Sequence, residues 1–262
     1  MNPRDYLIYL SLKFSGDYRM VREAIQKREE NFDDVELPPM NCKALTILDE
    51  EYPETLKEFP QCPIVLFYYG DISLLKNFDR NLAVVGARDC SDYGLAMTNE
   101  IVNSIAEEVN IVSGLARGVD STAQIQAIKS GGRVIGVLGS GIDVCYPPQN
   151  KRLYDHLKKN HLLISEYPGI TEPSPDKFPF RNRLIAMISS TIFIPEATKR
   201  SGTSITAFFA KEFNKNICCI PHRVGSDSLC NYLIANGCYL VEKGDDILEV
   251  MNIQKEITIF DL

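Results

Sequence analysis

The sequence predicts a doubly wound α/β fold: a mostly parallel sheet with helices on both faces and a small helical appendage at the N-terminus. Three observations carry this. Short apolar runs rich in β-branched residues recur from about residue 60 onward, amphipathic stretches of helical period fill most of the gaps, and several runs end in Gly-rich loops. Strand, helix, strand, repeated, gives parallel pairing, because a crossover helix returns the chain across the sheet before the next strand starts. The right-handed crossover rule then leaves a doubly wound sheet as the leading architecture.

Residues 1–40 form the appendage. Apolar residues fall at helical spacing over 5–13 (Tyr6, Leu7, Tyr9, Leu10) and over 18–30 (Met20, Val21, Ala24, Ile25), and Pro38-Pro39 ends the pattern. The core covers 41–250. Its strand-like runs lie at 64–69, 82–85, 110–112, 134–138, 162–164, 191–194 and 217–220, with 239–241 closing the series. The helical stretches are 93–108, 119–130, 151–160, 181–188, 203–213 and 226–235. Residues 251–262 read as a frayed tail.

At 262 residues the chain can bury a sizeable core, and 45% apolar with 24% charged residues excludes a disordered or collagen-like chain. No run approaches the length of a membrane helix and the N-terminus lacks a signal-peptide stretch, so a cytoplasmic protein is expected. The eight cysteines are scattered, with no Cys-x-x-Cys pair and no Cys/His cluster of zinc spacing. They read as reduced, mostly buried thiols, and neither a metal nor a cofactor is expected.

The formal net charge of -7 argues against nucleic acid at first sight, because phosphate contacts want positive potential. The charge is uneven, however. Residues 1–60 hold eight Lys and Arg against thirteen Asp and Glu, while residues 177–223 hold eight cations against Glu196 and Glu212 alone. Within that segment Lys177-Phe178-Pro179-Phe180-Arg181-Asn182-Arg183 interleaves cations with aromatics, the mixture that holds phosphates and stacks bases together.

In an open parallel sheet, ligands gather where strands turn into helix N-termini. The loops there read Gly86-Ala87-Arg88, Ser113-Gly114-Leu115-Ala116-Arg117-Gly118, Gly139-Ser140-Gly141 and Pro195 through Ser204, the last containing Lys199-Arg200-Ser201-Gly202-Thr203. Each supplies glycine for close backbone approach, and unpaired amides at a helix start attract anions. One such loop only permits a tight turn; four at successive strand ends make a row of phosphate seats.

Other phosphate and catalytic signatures fit badly. Gly139-Ser140-Gly141 is followed by Val144 where the dinucleotide fingerprint needs its third glycine, and no P-loop motif occurs. Ser113 and Ser140 lack the nucleophile elbow, and His222 is the one candidate proton shuttle among three histidines, equally readable as a loop residue. The pattern favours binding over bond breaking.

The motifs Ala83-Val84-Val85-Gly86-Ala87-Arg88, Ile111 through Asp120, Val137 through Asp143, Tyr146-Pro147-Pro148-Gln149-Asn150, Ser165-Glu166-Tyr167-Pro168, Phe178 through Arg183 and Arg200-Ser201-Gly202-Thr203 follow one another in the order and spacing of the DprA/Smf family. The resemblance covers roughly residues 45–250. It implies an extended Rossmann-like sheet and a mediator, not an enzyme, that binds single-stranded DNA without sequence preference, protects it, and loads RecA in natural transformation. It also implies a homodimer. Carried onto matching positions, it implies a DNA pocket of Arg88, Ser113, Gly114, Arg117, Lys177, Phe180, Arg181, Asn182, Arg183, Lys199, Arg200, Ser201, Gly202 and Thr203, with Phe178 or Phe180 as the stacking face.

The chain departs from the family pattern at Phe180, where Arg is common, and at His222 and Cys230, where glycines are usual; no winged-helix domain is expected after the sheet, where many members of the family continue into one. Two alternatives use the same loops. One is a nucleoside-monophosphate phosphoribohydrolase of the Lonely Guy type, whose decisive glutamate is replaced here by Thr206. The other is a sensor for a small phosphorylated nucleotide.

Overall fold

The computed structural model describes residues 2–27 and 36–254. The chain starts with a helical hairpin, α1 (Pro3–Lys13) and α2 (Tyr18–Lys27), and Asn2 caps α1 by accepting from the Asp5 amide. The last three positions of the helix expected over 18–30, and the tail from 255, lie outside the described residues. The core then runs β1 (Lys43–Thr46), α3 (Glu54–Lys57), β2 (Val65–Gly70), β3 (Asn81–Val84), α4 (Asp92–Ile105), β4 (Asn110–Ser113), α5 (Val119–Lys129), β5 (Arg133–Val137), α6 (Lys151–Asn160) and β6 (Leu162–Ser165). It continues through α7 (Lys177–Met187), β7 (Thr191–Ile194), α8 (Gly202–Glu212), β8 (Asn216–Cys219), α9 (Leu229–Ala235), β9 (Tyr239–Leu240) and α10 (Gly244–Val250).

The strands form one sheet in the order β1-β2-β6-β5-β4-β3-β7-β8-β9. Pairs from β6 through β9 are parallel, whereas β1–β2 and β2–β6 are antiparallel. The α/β reading therefore holds, with an antiparallel margin on one side. Sequence period did not reveal β1, because Lys43-Ala44-Leu45-Thr46 is a short edge strand buried only at its second half. Direction was equally unreadable for β2, since a buried apolar run looks the same in either sense.

The strands β3, β4, β6 and β7 are buried along their whole length because helices cover both faces of the sheet there. Leu82, Val84 and Ile111 pack with α4, α5, α6 and α10 on one side. Ala83, Val85 and Val112 pack with α7, α8 and α9 on the other. Topology then locates the ligand crevice: β3 leads to β4, β5 and β6 in one direction, and the chain crosses back to place β7 on the other flank of β3. The order reverses between β3 and β7, so their carboxyl ends, Val84 and Ile194, open where helices diverge.

One boundary matters beyond its size. The sequence places a helix over 181–188, but α7 begins at Lys177. Pro179 sits in its first turn, where the missing amide proton is no loss. The earlier start brings Lys177–Phe180 onto helical phase and sends Phe178 and Phe180 to opposite faces, at about 3.6 residues per turn.

Candidate nucleic-acid interface

Three loops at the carboxyl ends of β3, β4 and β7 are knitted through their backbones. The Ala87 amide donates to the Glu196 carbonyl at 2.7 Å, and the Val119 amide donates to the Ala87 carbonyl at 3.1 Å. Such approach needs glycine: a Cβ on Gly86 would lie 2.7 Å from the Glu196 carbonyl oxygen. Gly118, at φ +73, would place one 2.2 Å from that of Ala87. The Glu196 carboxylate accepts from the Ser91 hydroxyl at 2.6 Å and from its amide, bracing the start of α4.

Two cavities open over these loops, of about 620 Å³ and about 260 Å³. Arg88, Ala116, Tyr146, Phe178 and Arg181 border both, so the two form one groove divided by a wall. Tyr146 and Phe178 meet across that wall with ring centroids 5.3 Å apart, and the Arg88 guanidinium lies 5.8 Å from the Phe178 centroid. Gly139 makes room for this ring, because a Cβ there would be 2.7 Å from Phe178 Cδ1. The larger cavity also takes in Asn182 from α7 and Ser201, Gly202 and Thr203 at the start of α8. There the helix amides lack intrahelical partners.

The floor is Arg181. It is buried, and its Nη1 donates to the carbonyl of Gly114 at 2.9 Å and to that of Val137, while Nε donates to the Asn182 side chain. Burial pushes its guanidinium down to about 10, with Asp120 pulling the other way. Burial pushes the Asp120 carboxyl up, opposed by Arg181 and by the Gly114 amide, which donates to Asp120 Oδ2 at 3.1 Å. The pair fixes both the β4 loop and the groove floor.

The residues expected in the pocket separate into groups. Arg88, Gly114, Arg117, Arg181, Asn182, Ser201, Gly202 and Thr203 line the groove. Ser113 lies beneath it, fully buried and donating to the Val84 carbonyl. Phe180 and Arg183 occupy the far face of α7: Arg183 has no exposed surface, pairs with Glu166 at 2.7 Å and lies over the Phe180 ring at 3.8 Å. Lys177 donates to the Glu172 carbonyl and sits over Tyr167. Lys199 borders a different depression beside Phe208 and Tyr232, and Arg200 is exposed on the same loop.

Other expectations also shift. The Gly139-Ser140-Gly141 loop is buried, and the amides of Gly141, Ile142 and Asp143 donate to carbonyls of 167–171, so it offers no open phosphate seat. His222 is tied by its ring to the Pro195 carbonyl of the β7 exit loop and by its backbone to the Asn231 side chain of α9, and it packs edge-on to Tyr93. Sequence reasoning gave no role to Tyr146, Gln149 or Asp120, although all three line the groove and lie within motifs already noted. Their signal was the motif; their contact depended on the fold. No helix among the described residues is long and apolar enough to cross a membrane.

Residues 43–252 match the family described as DNA recombination-mediator protein A. The chain is 41% identical over 207 residues to DNA processing protein DprA of Streptococcus pneumoniae, covering 78% of this chain and 73% of that one. It is 35% identical over 204 residues to protein Smf of Escherichia coli, covering 76% and 54%. It thus spans most of the pneumococcal protein but about half of the other. Among solved structures, pneumococcal DprA superposes with a TM-score of 0.77 at 33% identity, over 94% of this chain and 92% of that one. DprA of Helicobacter pylori, whose structure concerns its single-stranded DNA binding mode, superposes with a TM-score of 0.73 at 26% identity, over 81% and 96%.

Proposed function

The chain belongs to the DNA recombination-mediator protein A family, and from that premise we propose that it binds single-stranded DNA along the divided groove, without strong sequence preference, as a recombination mediator. The observation that carries this reading is the shared wall of Arg88, Tyr146 and Phe178 between two cavities at the reversal of strand order. A ring face stacks any base, and cations beside it hold the neighbouring phosphates. Arg88 and Arg117 are exposed and border the groove, and the start of α8 adds unpaired amides. Buried Arg181 shapes the floor for them. The H. pylori relative's single-stranded DNA binding supports the same ligand class.

The rest of the role follows the family: protection of incoming DNA and loading of RecA, by a homodimer in the cytoplasm, with no bond broken at this site. A phosphoribohydrolase would need a carboxylate where Thr206 stands, and the acids at the groove have partners: Asp120 has Arg181, Asp89 has Arg117 at 3.7 Å, and Glu196 behind them has Ser91. Release of free adenine from AMP would overturn the non-enzymatic reading.

The direct test is anisotropy of a labelled oligothymidine titrated at several salt concentrations. Log affinity should fall linearly with log salt by roughly 0.7 per phosphate held. A mixed-sequence strand should bind within a few-fold. Salt-independent binding, or tight binding of a mononucleotide in place of the strand, would overturn it.

A further inference from the structure

The face of α7 opposite the groove is built around one arginine whose bonds do not account for its burial. Arg183 has no exposed surface, and only its Nη2 has a partner, Glu166 at 2.7 Å. Its Nε and Nη1 are buried without partners. Such groups are costly unless something else holds the cation in place. Here aromatic faces do so: the guanidinium carbon lies 3.8 Å from the Phe180 centroid and 5.6 Å from that of Tyr18. Tyr18 and Phe180 are themselves in contact, with centroids 5.8 Å apart.

Tyr18 is the first residue of α2, in the N-terminal hairpin that precedes the region matched by the family. The hairpin is seated by its turn. Gly16, at φ +76, packs so closely on the chain before α7 that a Cβ would lie 2.3 Å from the Glu166 carbonyl oxygen. Tyr18 also donates its hydroxyl to the Pro60 carbonyl at 3.3 Å. The hairpin thus touches Glu166, Phe180 and Arg183 together.

The first turn of α7 needs such support. Its N-cap, Asp176, makes no side-chain capping bond. Yet that turn carries Phe178, the dividing wall of the groove, and is followed directly by Arg181, its floor. We propose that Tyr18, acting through Phe180 and Arg183, is a positioning residue for the groove: the N-terminal hairpin braces the outer face of α7 and so sets the inner face against Tyr146. The proposal rests on the single-stranded DNA reading for its ligand, though not for the brace.

The test compares Tyr18→Ala and Tyr18→Phe in the full chain, by oligothymidine binding across salt and by amide hydrogen exchange. Tyr18→Ala should weaken binding roughly twofold to thirtyfold, the range for side chains acting on a site through others. The salt slope should stay unchanged, because no phosphate contact is removed. Exchange should quicken over 177–183 and not in β3 and β4. Tyr18→Phe, which keeps the ring and loses the hydroxyl, should restore both. Unchanged binding and exchange in Tyr18→Ala would overturn the brace, as would a lowered salt slope, which would make this face a phosphate contact. Faster exchange across the whole sheet would mark Tyr18 as a general support and also overturn it. If the wild-type chain fails to bind oligothymidine, the DNA reading falls alone and the exchange arm still decides the brace.

Discussion

Arg181 and Arg183 stand two residues apart on one helix, both are buried, and they hold two different regions together. Around Arg181 the polar groups are matched: two carbonyls and an amide oxygen accept from it, and Asp120 balances its charge. Around Arg183 they are not: one carboxylate and two ring faces hold a guanidinium with two idle nitrogens. The first region is a matched floor beneath the groove. The second is a mechanical seam. The contrast teaches that a cation in a basic, aromatic motif is available to phosphate only if the fold leaves it in water, and here Arg88, Arg117, Lys177, Lys199 and Arg200 keep surface while these two do not.

The widest separation between the regions should appear in stability. Arg183→Ala strands the Glu166 carboxylate in the interior, so urea denaturation should show a loss of about 3–5 kcal/mol. Pairing Arg183→Met with Glu166→Gln should recover much of it, since removing both partners leaves no uncompensated charge. A wild-type unfolding midpoint for Arg183→Ala would dissolve the seam.

On the groove side the expected loss is in binding. Phe178→Ala should weaken oligothymidine binding by about 1–3 kcal/mol, the worth of one base stack, with the unfolding midpoint nearly unchanged. Equal affinity for the variant and the wild type would remove Phe178 as the stacking wall. A finer discriminator is ionic. Arg88→Ala and Arg117→Ala should each lower the salt slope by roughly 0.7 per lost phosphate, whereas the Arg183→Met, Glu166→Gln pair should leave it alone. A reduced slope in that pair would put Arg183 back among the phosphate contacts.

The smallest effect extends the comparison to a third shielded cation. Lys215 lies between the rings of Phe59 and Phe78, with Nζ 5.0 and 4.1 Å from their centroids. Burial pushes its ammonium down from 10.5 to about 8, with Glu58 pulling upward. Between those values the unfolded chain binds a proton that the folded chain does not, so stability rises with pH there. The contribution is complete above the unfolded value and lost as pH falls through about 8. Lys215→Met should therefore gain on the wild type at pH 7 and lose that advantage toward pH 10. A gap that ignores pH would mean the two rings hold the charged form well enough to offset burial.

Much of this could be read in advance. The β3, β4 and β7 exit loops were legible because glycine recurs with cations or hydroxyls at several strand ends of one sheet, and Arg88, Arg117 and Ser201–Thr203 do meet in one groove. Phe178 and Phe180 could not be told apart, since choosing between them required the first residue of α7, and Pro179 hides that start inside what reads as a loop. The Gly139 loop misled for a related reason: glycine signals close approach, but not to what, and here it approaches Phe178 and its own following loop.

The sequence by itself determined the alternation of strands and helices, the family, and the chemistry of the groove, because periodicity, loop composition and motif order are local properties of the chain. Tertiary structure decided the antiparallel margin, which aromatic borders the groove, and which cations keep their water. Those depend on helical phase and burial, where a shift of one or two residues turns a phosphate contact into a core strut.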